Sequence, residues 1–240
     1  TDERLAALYS HPVWIVRALK QSLEAEDRGE ELENLLASDN VNPRVTLVEL
    51  PGFVDANDEV EGEPTKYSPL GMSLNTGGDP TRFARVREGF VRVQDEGSQL
   101  AALVLSRHHE ITPGEKWLDM CAGPGGKAAL LAAEATLGGA ELTANEVIPG
   151  RADLVRKALA ILPDVDVVTG DGVDIGLDQP NTYDRILLDA PCTGLGALRR
   201  RPEARWRKSP KDVGDLTALQ AQLLTSALHA LKPGGVLAYV

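Results

Sequence analysis

The sequence predicts an α/β protein: a doubly wound parallel sheet, broken off after its fifth strand, behind a small N-terminal α+β domain. Three observations carry that prediction. From about residue 94 onward, short apolar runs alternate with helical stretches, the pattern of parallel strands joined by crossover helices. The first run ends in the glycine-rich Asp119-Met-Cys-Ala-Gly-Pro-Gly-Gly-Lys127, where a strand turns tightly into a helix. A later run ends in Asp189-Ala-Pro-Cys-Thr-Gly-Leu-Gly196. Both motifs therefore fall at the carboxyl edge of one sheet, where open α/β folds bind ligands.

The elements follow in order. Residues 1–40 read as helical, with Trp14, Ile15, Ala18 and Leu19, then Leu32, Leu35 and Leu36, at helical spacing; Asn40 and Pro43 end the run. Arg44 to Leu50 reads as a strand, stopped by Pro51-Gly52, and the Gly-, Pro-, Asp- and Asn-rich residues 51–80 hold a short strand around Leu70 to Leu74. Phe90 to Val93 is a further strand, and residues 1–93 form the small domain, of RNA-binding type. In residues 94–240, a helix over Gly97 to Arg107 precedes strand Lys116 to Met120 and the glycine loop. A helix from Gly126 to about Leu137, strand Glu141 to Val147 and a helix from Arg151 to Ile161 follow. Strand Asp166 to Thr169 leads into Gly170-Asp-Gly172, and strand Tyr183 to Leu188 into the Asp189 motif. A helix from about Leu216 to Leu231 precedes Lys232-Pro-Gly-Gly235 and the last strand.

Composition bounds the function. With 240 residues the chain can bury one large core and a smaller one. No apolar run reaches the roughly 18 residues that span a bilayer, so no membrane partner is expected. The chain begins at Thr1 with no leader, and Gly234 to Val240 reads as a strand barely finished; a processed or recombinant piece of a longer chain is expected. The two cysteines, Cys121 and Cys192, make no disulfide framework and predict a reducing, cytoplasmic setting. Four scattered histidines and no Cys-x-x-Cys spacing predict no metal. A monomer is expected.

The net charge of −11 argues against a simple nucleic-acid binder. Glu24 to Glu33 and Asp55 to Glu63 are acidic runs, read as solvated faces or loops. Arg199, Arg200, Arg201, Arg205, Arg207 and Lys208, with Trp206 among them, oppose only Glu203. Such a patch can hold phosphates despite the overall charge, because screening confines distant charges to about a Debye length. Arginine beside an aromatic ring can also stack on an unpaired base.

The glycine loop is neither Gly-x-Gly-x-x-Gly nor a P-loop, since Lys127 is followed by Ala128 and no hydroxyl waits for magnesium. Gly123, Gly125 and Gly126 would let a ligand's amino-acid tail approach the backbone, with its carboxylate near the helix N-terminus. Glu146 ends the next strand, where a carboxylate can accept ribose hydroxyls. Asp171 follows the third strand, placed to accept from an adenine amino group, and Asp189 follows the fourth. One strand-end acid is ordinary surface chemistry. Four positions in register fit a ribose–adenine ligand without a polyphosphate, and S-adenosylmethionine is such a ligand. Cys192, after the rigid Pro191, supplies the kind of thiol that adds to C6 of a pyrimidine and activates C5. Asp189 could contact the cytosine N3 and amino group.

Asp119 to Lys127, Asp189-Ala-Pro-Cys-Thr-Gly194 and Arg200-Arg-Pro-Glu203 with Trp206 resemble the Sun (Fmu, RsmB-type) RNA cytosine-C5 methyltransferases, the NSUN-type family. Gln94-Asp-Glu-Gly-Ser-Gln99 and Ser10-His-Pro-x-Trp14 are similar to further segments of that family. The resemblance implies a Rossmann-like methyltransferase core and 5-methylcytosine formation, with small-subunit rRNA as the expected substrate and tRNA as the alternative. A non-catalytic RNA-binding protein on the same fold is the reading from another class. It implies that Cys121, Ala122, Gly123, Pro124, Gly125, Gly126 and Lys127 wrap the methionine part of S-adenosylmethionine. Glu146, with Arg151 nearby, would hold the ribose; Asp171 would sit by the adenine and Asp189 beside cofactor and base. Cys192 would help release the methylated base. The attacking thiol would lie in a Thr-Cys-Ser motif after the fifth strand, past Val240, so these 240 residues are expected to bind the cofactor without methylating.

Overall fold

The computed structural model describes residues 1–53, 62–75, 78–162 and 165–240. In chain order its helices and strands are α1 (Asp2–Leu8), α2 (Val13–Ala25), α3 (Leu32–Ser38), β1 (Thr46–Glu49), β2 (Glu63–Pro64), β3 (Gly71–Ser73), α4 (Ala84–Glu88), β4 (Val91–Val93), α5 (Glu96–Ser106), β5 (Lys116–Asp119), α6 (Gly126–Gly138), β6 (Glu141–Asn145), α7 (Pro149–Leu159), β7 (Val165–Val168), α8 (Ile175–Asp178), β8 (Tyr183–Leu188), α9 (Ala204–Arg207), α10 (Pro210–Ala230) and β9 (Leu231–Tyr239). The acidic run from Asp55 lies outside the described residues up to position 61.

The chain divides into two compact units, Thr1–Pro43 with Cys192–Leu219, and Arg44–Pro191 with Gln220–Val240. The boundary expected between residues 93 and 94 falls inside the larger unit. The reason is packing: Val48 and Leu50 share one core with Ala102 and Leu105 of α5. The buried Gln99 also donates from Nε2 to the Leu47 carbonyl of β1 at 3.1 Å.

In the smaller unit, Ala6, Val16, Leu32 and Leu36 close a core between α1, α2 and α3. Thr1 caps α1 by accepting the Arg4 N–H. Arg205 of α9 is buried there, donating to the carbonyls of Ser10 and Asp39 and to Asn40 Oδ1.

The larger unit holds two sheets. One is antiparallel, in order β2-β3-β1-β4; the other is in order β7-β6-β5-β8-β9, with all of its pairs parallel. Helix α6 is buried along Ala128 to Ala135, as an alanine- and leucine-rich helix lacking a polar face must be. Strand β8 spans the expected Tyr183 to Leu188, and its apolar residues are all buried, as suits a central parallel strand. The last strand departs from expectation. Lys232-Pro-Gly-Gly235 lies within β9, whose pairing starts at Leu231 opposite Tyr183 and absorbs the turn-like residues through a register shift. Helix α10 begins at Pro210, not Leu216, because proline suits the first helical position.

At the amino-terminal edge of the parallel sheet, Arg185 is fully buried. Its Nε donates to Glu115 Oε2 at 2.8 Å, and Nη1 donates to the Leu105 and Ser106 carbonyls that end α5. Trp117 lies under the guanidinium and donates its own N–H to Glu115. This cluster fastens helix to sheet opposite the site described next.

Candidate cofactor and base site

The strand order changes direction between β5 and β8, and the carboxyl edge at such a switch point is where open sheets bind ligands. The sequence-predicted residues of the larger unit gather along that edge. The glycine loop follows β5, Glu146 follows β6, Asp171 follows β7 and Asp189 follows β8.

The loop is shaped by close approach. A Cβ at Gly123 would stand 2.1 Å from Glu146 Oε2, so only glycine fits. Gly125 has φ +108° and presses on Val155 and Ala158 of α7, again excluding a side chain. Space is open at Gly126. Glu146 is buried and staples the loop: Oε2 accepts the Gly123 N–H at 3.1 Å and Oε1 accepts the Ile148 N–H at 3.0 Å. Arg151 closes the arrangement, donating from Nη2 to the Gly123 carbonyl at 2.6 Å and lying 3.6 Å from Glu146. Asp171 is exposed and accepts the Val173 N–H.

Lys127 does not line the loop with its charge. Its ammonium donates to Asp189 Oδ2 at 2.7 Å and to Ser98 Oγ at 3.1 Å, spanning the switch point. Below this pair lies Asp119, 1% exposed, neither of whose oxygens makes a well-formed hydrogen bond. Burial first, then the neighbouring Asp189, raises the Asp119 carboxyl to about 7 against the opposing pull of Lys127. Cys121 is driven up to about 12 by burial and by Asp119, Glu146 and Asp189. It stays a thiol at neutral pH.

Residues without a motif complete the edge. Asn145 donates to the Met120 carbonyl, tying the end of β6 to that of β5. Ser226 of α10 accepts the Gly176 N–H and donates to the Gly172 carbonyl, which holds the Asp171 loop. Gln220 donates to the Pro191 carbonyl. Their only sequence signal is a small polar residue at a strand end or on an otherwise apolar helix.

The fit to S-adenosylmethionine rests on two features. The loop brings backbone, not side chains, to the start of α6, and each Glu146 oxygen keeps a second lone pair beyond its backbone bond. Carboxylates after three successive strand ends leave no match for a polyphosphate.

In the smaller unit, Cys192, Arg199, Arg200, Arg201, Trp206 and Arg207 are exposed. Arg199 donates to the Val41 carbonyl. Arg205 is withdrawn from the expected RNA-contacting set, because its guanidinium is buried and committed to backbone carbonyls and Asn40. Among the described residues no cluster of His, Cys, Asp or Glu could hold a metal ion, and no helix is long and apolar enough to cross a membrane.

Comparison with known proteins bears on the fold and the family. "Putative methyltransferase Rv1407" of Mycobacterium tuberculosis is 47% identical over 237 residues, covering 98% of this chain and 50% of that protein. The ribosomal RNA small subunit methyltransferase B of Pseudomonas putida is 32% identical over 243 residues, covering 96% and 53%. The chain thus spans about half the length of the curated relatives it matches. Among solved structures, PH0851 superposes with a TM-score of 0.85 at 26% identity, covering 98% of this chain and 54% of that one. NSun6 of Pyrococcus horikoshii, solved with SFG, shares the fold at a TM-score of 0.69 and 17% identity, covering 91% and 81%. Residues 106–240 match the family described as 16S rRNA methyltransferase RsmB/F. The chain belongs to this RsmB/F family of S-adenosylmethionine-dependent methyltransferases.

Proposed function

We propose that the protein methylates C5 of a cytosine in RNA, with small-subunit (16S) rRNA as the substrate. The observation that carries this reading is the Lys127–Asp189 pair at the switch point, at the end of the glycine loop. S-adenosylmethionine supplies an electrophilic methyl group there. Gly123 to Gly126 and Glu146 bind its methionine and ribose parts, Arg151 holds the loop closed on them, and Asp171 meets the adenine.

Asp189 accepts from the exocyclic amino group of the cytosine and orients N3. A cysteine thiolate adds to C6, which makes C5 nucleophilic enough to take the methyl group. Loss of the C5 proton to a base then expels the thiolate and restores the aromatic ring. Cys192, three residues beyond Asp189 in the chain, is assigned to this release. Residues 1–93 and the exposed arginines at 199, 200, 201 and 207, with Trp206, are assigned to RNA, and the carboxyl edge of the parallel sheet to the cofactor. The two free cysteines fit a reducing, cytoplasmic compartment.

Calorimetry with S-adenosylmethionine and NADH side by side tests the cofactor half. Methyl transfer by the full-length protein to 16S rRNA and to tRNA, with the product nucleoside identified by mass spectrometry, tests the rest. Binding of S-adenosylmethionine alone and 5-methylcytosine in 16S rRNA are expected. NADH binding, or a methylated nucleoside other than 5-methylcytosine, would overturn the reading; product in tRNA alone would overturn the substrate.

A further inference from the structure

The segment Gln94-Asp-Glu-Gly-Ser-Gln99 has no part in the chemistry above, yet it sends three side chains in three directions. Gln99 donates to the carbonyls of Leu47 and Gln94, fixing the start of α5 on the antiparallel sheet. Glu96 accepts the N–H groups of Tyr67 and Ser68 on one oxygen, and these bonds hold its carboxyl below the usual range. Ser98 faces the site, accepting from Lys127 Nζ at 3.1 Å. The first turn of α5 is therefore anchored on both flanks before it reaches the lysine.

That anchoring matters because of what Lys127 must do. An ammonium on a four-carbon stem has large rotamer freedom, and an ion pair with one partly exposed member holds little geometry by itself. The Asp189 side chain is 38% exposed and that of Lys127 16%. A second acceptor on a rigid helix turn leaves the ammonium one position that satisfies both bonds. The titratable groups around the Asp119–Asp189 pair are Lys127, Glu146 and the thiol of Cys121, and Lys127 is the cation that offsets the repulsion between the carboxyls.

We propose that Ser98 is a positioning residue for base recognition: it holds the Lys127 ammonium on Asp189, so that Asp189 is aimed when the cytosine arrives. This rests on the reading of Asp189 as the base-contacting carboxylate.

The test compares Ser98→Ala and Ser98→Thr in the full-length protein. The first readout needs neither cofactor nor RNA: the chemical shift of the Asp189 carboxyl carbon at neutral pH by 13C NMR, assigned with Asp189→Asn. Ser98→Ala is expected to move that signal away from its position in the unsubstituted protein, and Ser98→Thr, which keeps the hydroxyl, to leave it there. The second readout is turnover. Loss of one hydrogen bond predicts a kcat about threefold to tenfold lower and unchanged affinity for S-adenosylmethionine. Far-ultraviolet circular dichroism confirms folding, and Ser98→Thr keeps the test alive if Ser98→Ala is unstable. An Asp189 carboxyl signal at the same position in all folded variants would overturn the proposal. If the unsubstituted protein makes no 5-methylcytosine, the functional reading fails, while the carboxyl signal still decides whether Ser98 places Lys127.

Discussion

Lys127 Nζ stands 2.7 Å from Asp189 Oδ2, joining the first turn after β5 to the end of β8 at the point where the strand order reverses. On the proposed reading, the cation in the glycine loop serves the base side of the site, and the backbone of the loop the cofactor side. The two halves should separate by mutation. Asp189→Asn and Lys127→Met are each expected to lower kcat by about a hundredfold to a thousandfold, the range for removing one preorganised hydrogen-bonding group at the reacting centre. Binding of S-adenosylmethionine by calorimetry should stay near the unsubstituted value. Loss of cofactor binding with either variant would contradict this division.

Asp119 gives the fold a pH dependence of opposite sign to that of most carboxylates. Its folded carboxyl is raised to about 7, first by burial and then by Asp189. Stability from this group is complete below the unfolded carboxyl pKa of about 4 and is lost as pH rises through 7. Urea denaturation of the unsubstituted protein and Asp119→Asn should therefore show a difference that shifts in favour of the variant between pH 5 and 8. A difference constant over that interval would exclude a neutral Asp119.

Glu115 works the other way. Burial raises its carboxyl, but the bonds from Arg185, Trp117 and Thr112 outweigh burial and hold it below the ordinary range. Its contribution is present above the unfolded pKa and is lost as pH falls through the folded one. Arg185→Ala should cost about 3–5 kcal/mol at neutral pH, since it leaves a buried carboxylate without its partner. Denaturant midpoints at pH 7 and pH 4 check both statements, and the gap between variant and parent should narrow at the lower pH.

The basic stretch should split by burial. Arg205→Ala is expected to destabilise the smaller unit by about 1–3 kcal/mol, from the buried acceptors it leaves unpaired. Arg201→Ala and Arg207→Ala should leave stability unchanged, weaken RNA binding, and each reduce the salt slope of that binding by about one. Filter binding at several salt concentrations, beside thermal melts, distinguishes the two classes.

These cases show what the sequence can and cannot say. The succession of the parallel strands was legible because Ile186 to Leu188 is an apolar run before the Asp189 motif, and because each loop at the carboxyl edge carries glycine or an acid. Glu146, Asp171 and Asp189 could be placed on one edge by counting strands. The Glu115–Arg185 cluster could not, since its members are seventy residues apart and look like ordinary strand-end charges. Arg205 misled for the converse reason: inside a run of arginines, nothing in the sequence marks the one that turns inward. Ser98 was visible only as part of a motif. Its role depends on the reach of Lys127 from a different helix, which no local pattern encodes.

The central claim, a 5-methylcytosine placed in small-subunit rRNA, is tested most directly by bisulfite sequencing of rRNA and tRNA from cells with and without the full-length gene. Loss of one 5-methylcytosine from 16S rRNA on deletion, restored by the unsubstituted gene but not by Asp189→Asn, is the predicted result. Unchanged methylation of every RNA would contradict the account and favour an RNA-binding protein built on a methyltransferase fold.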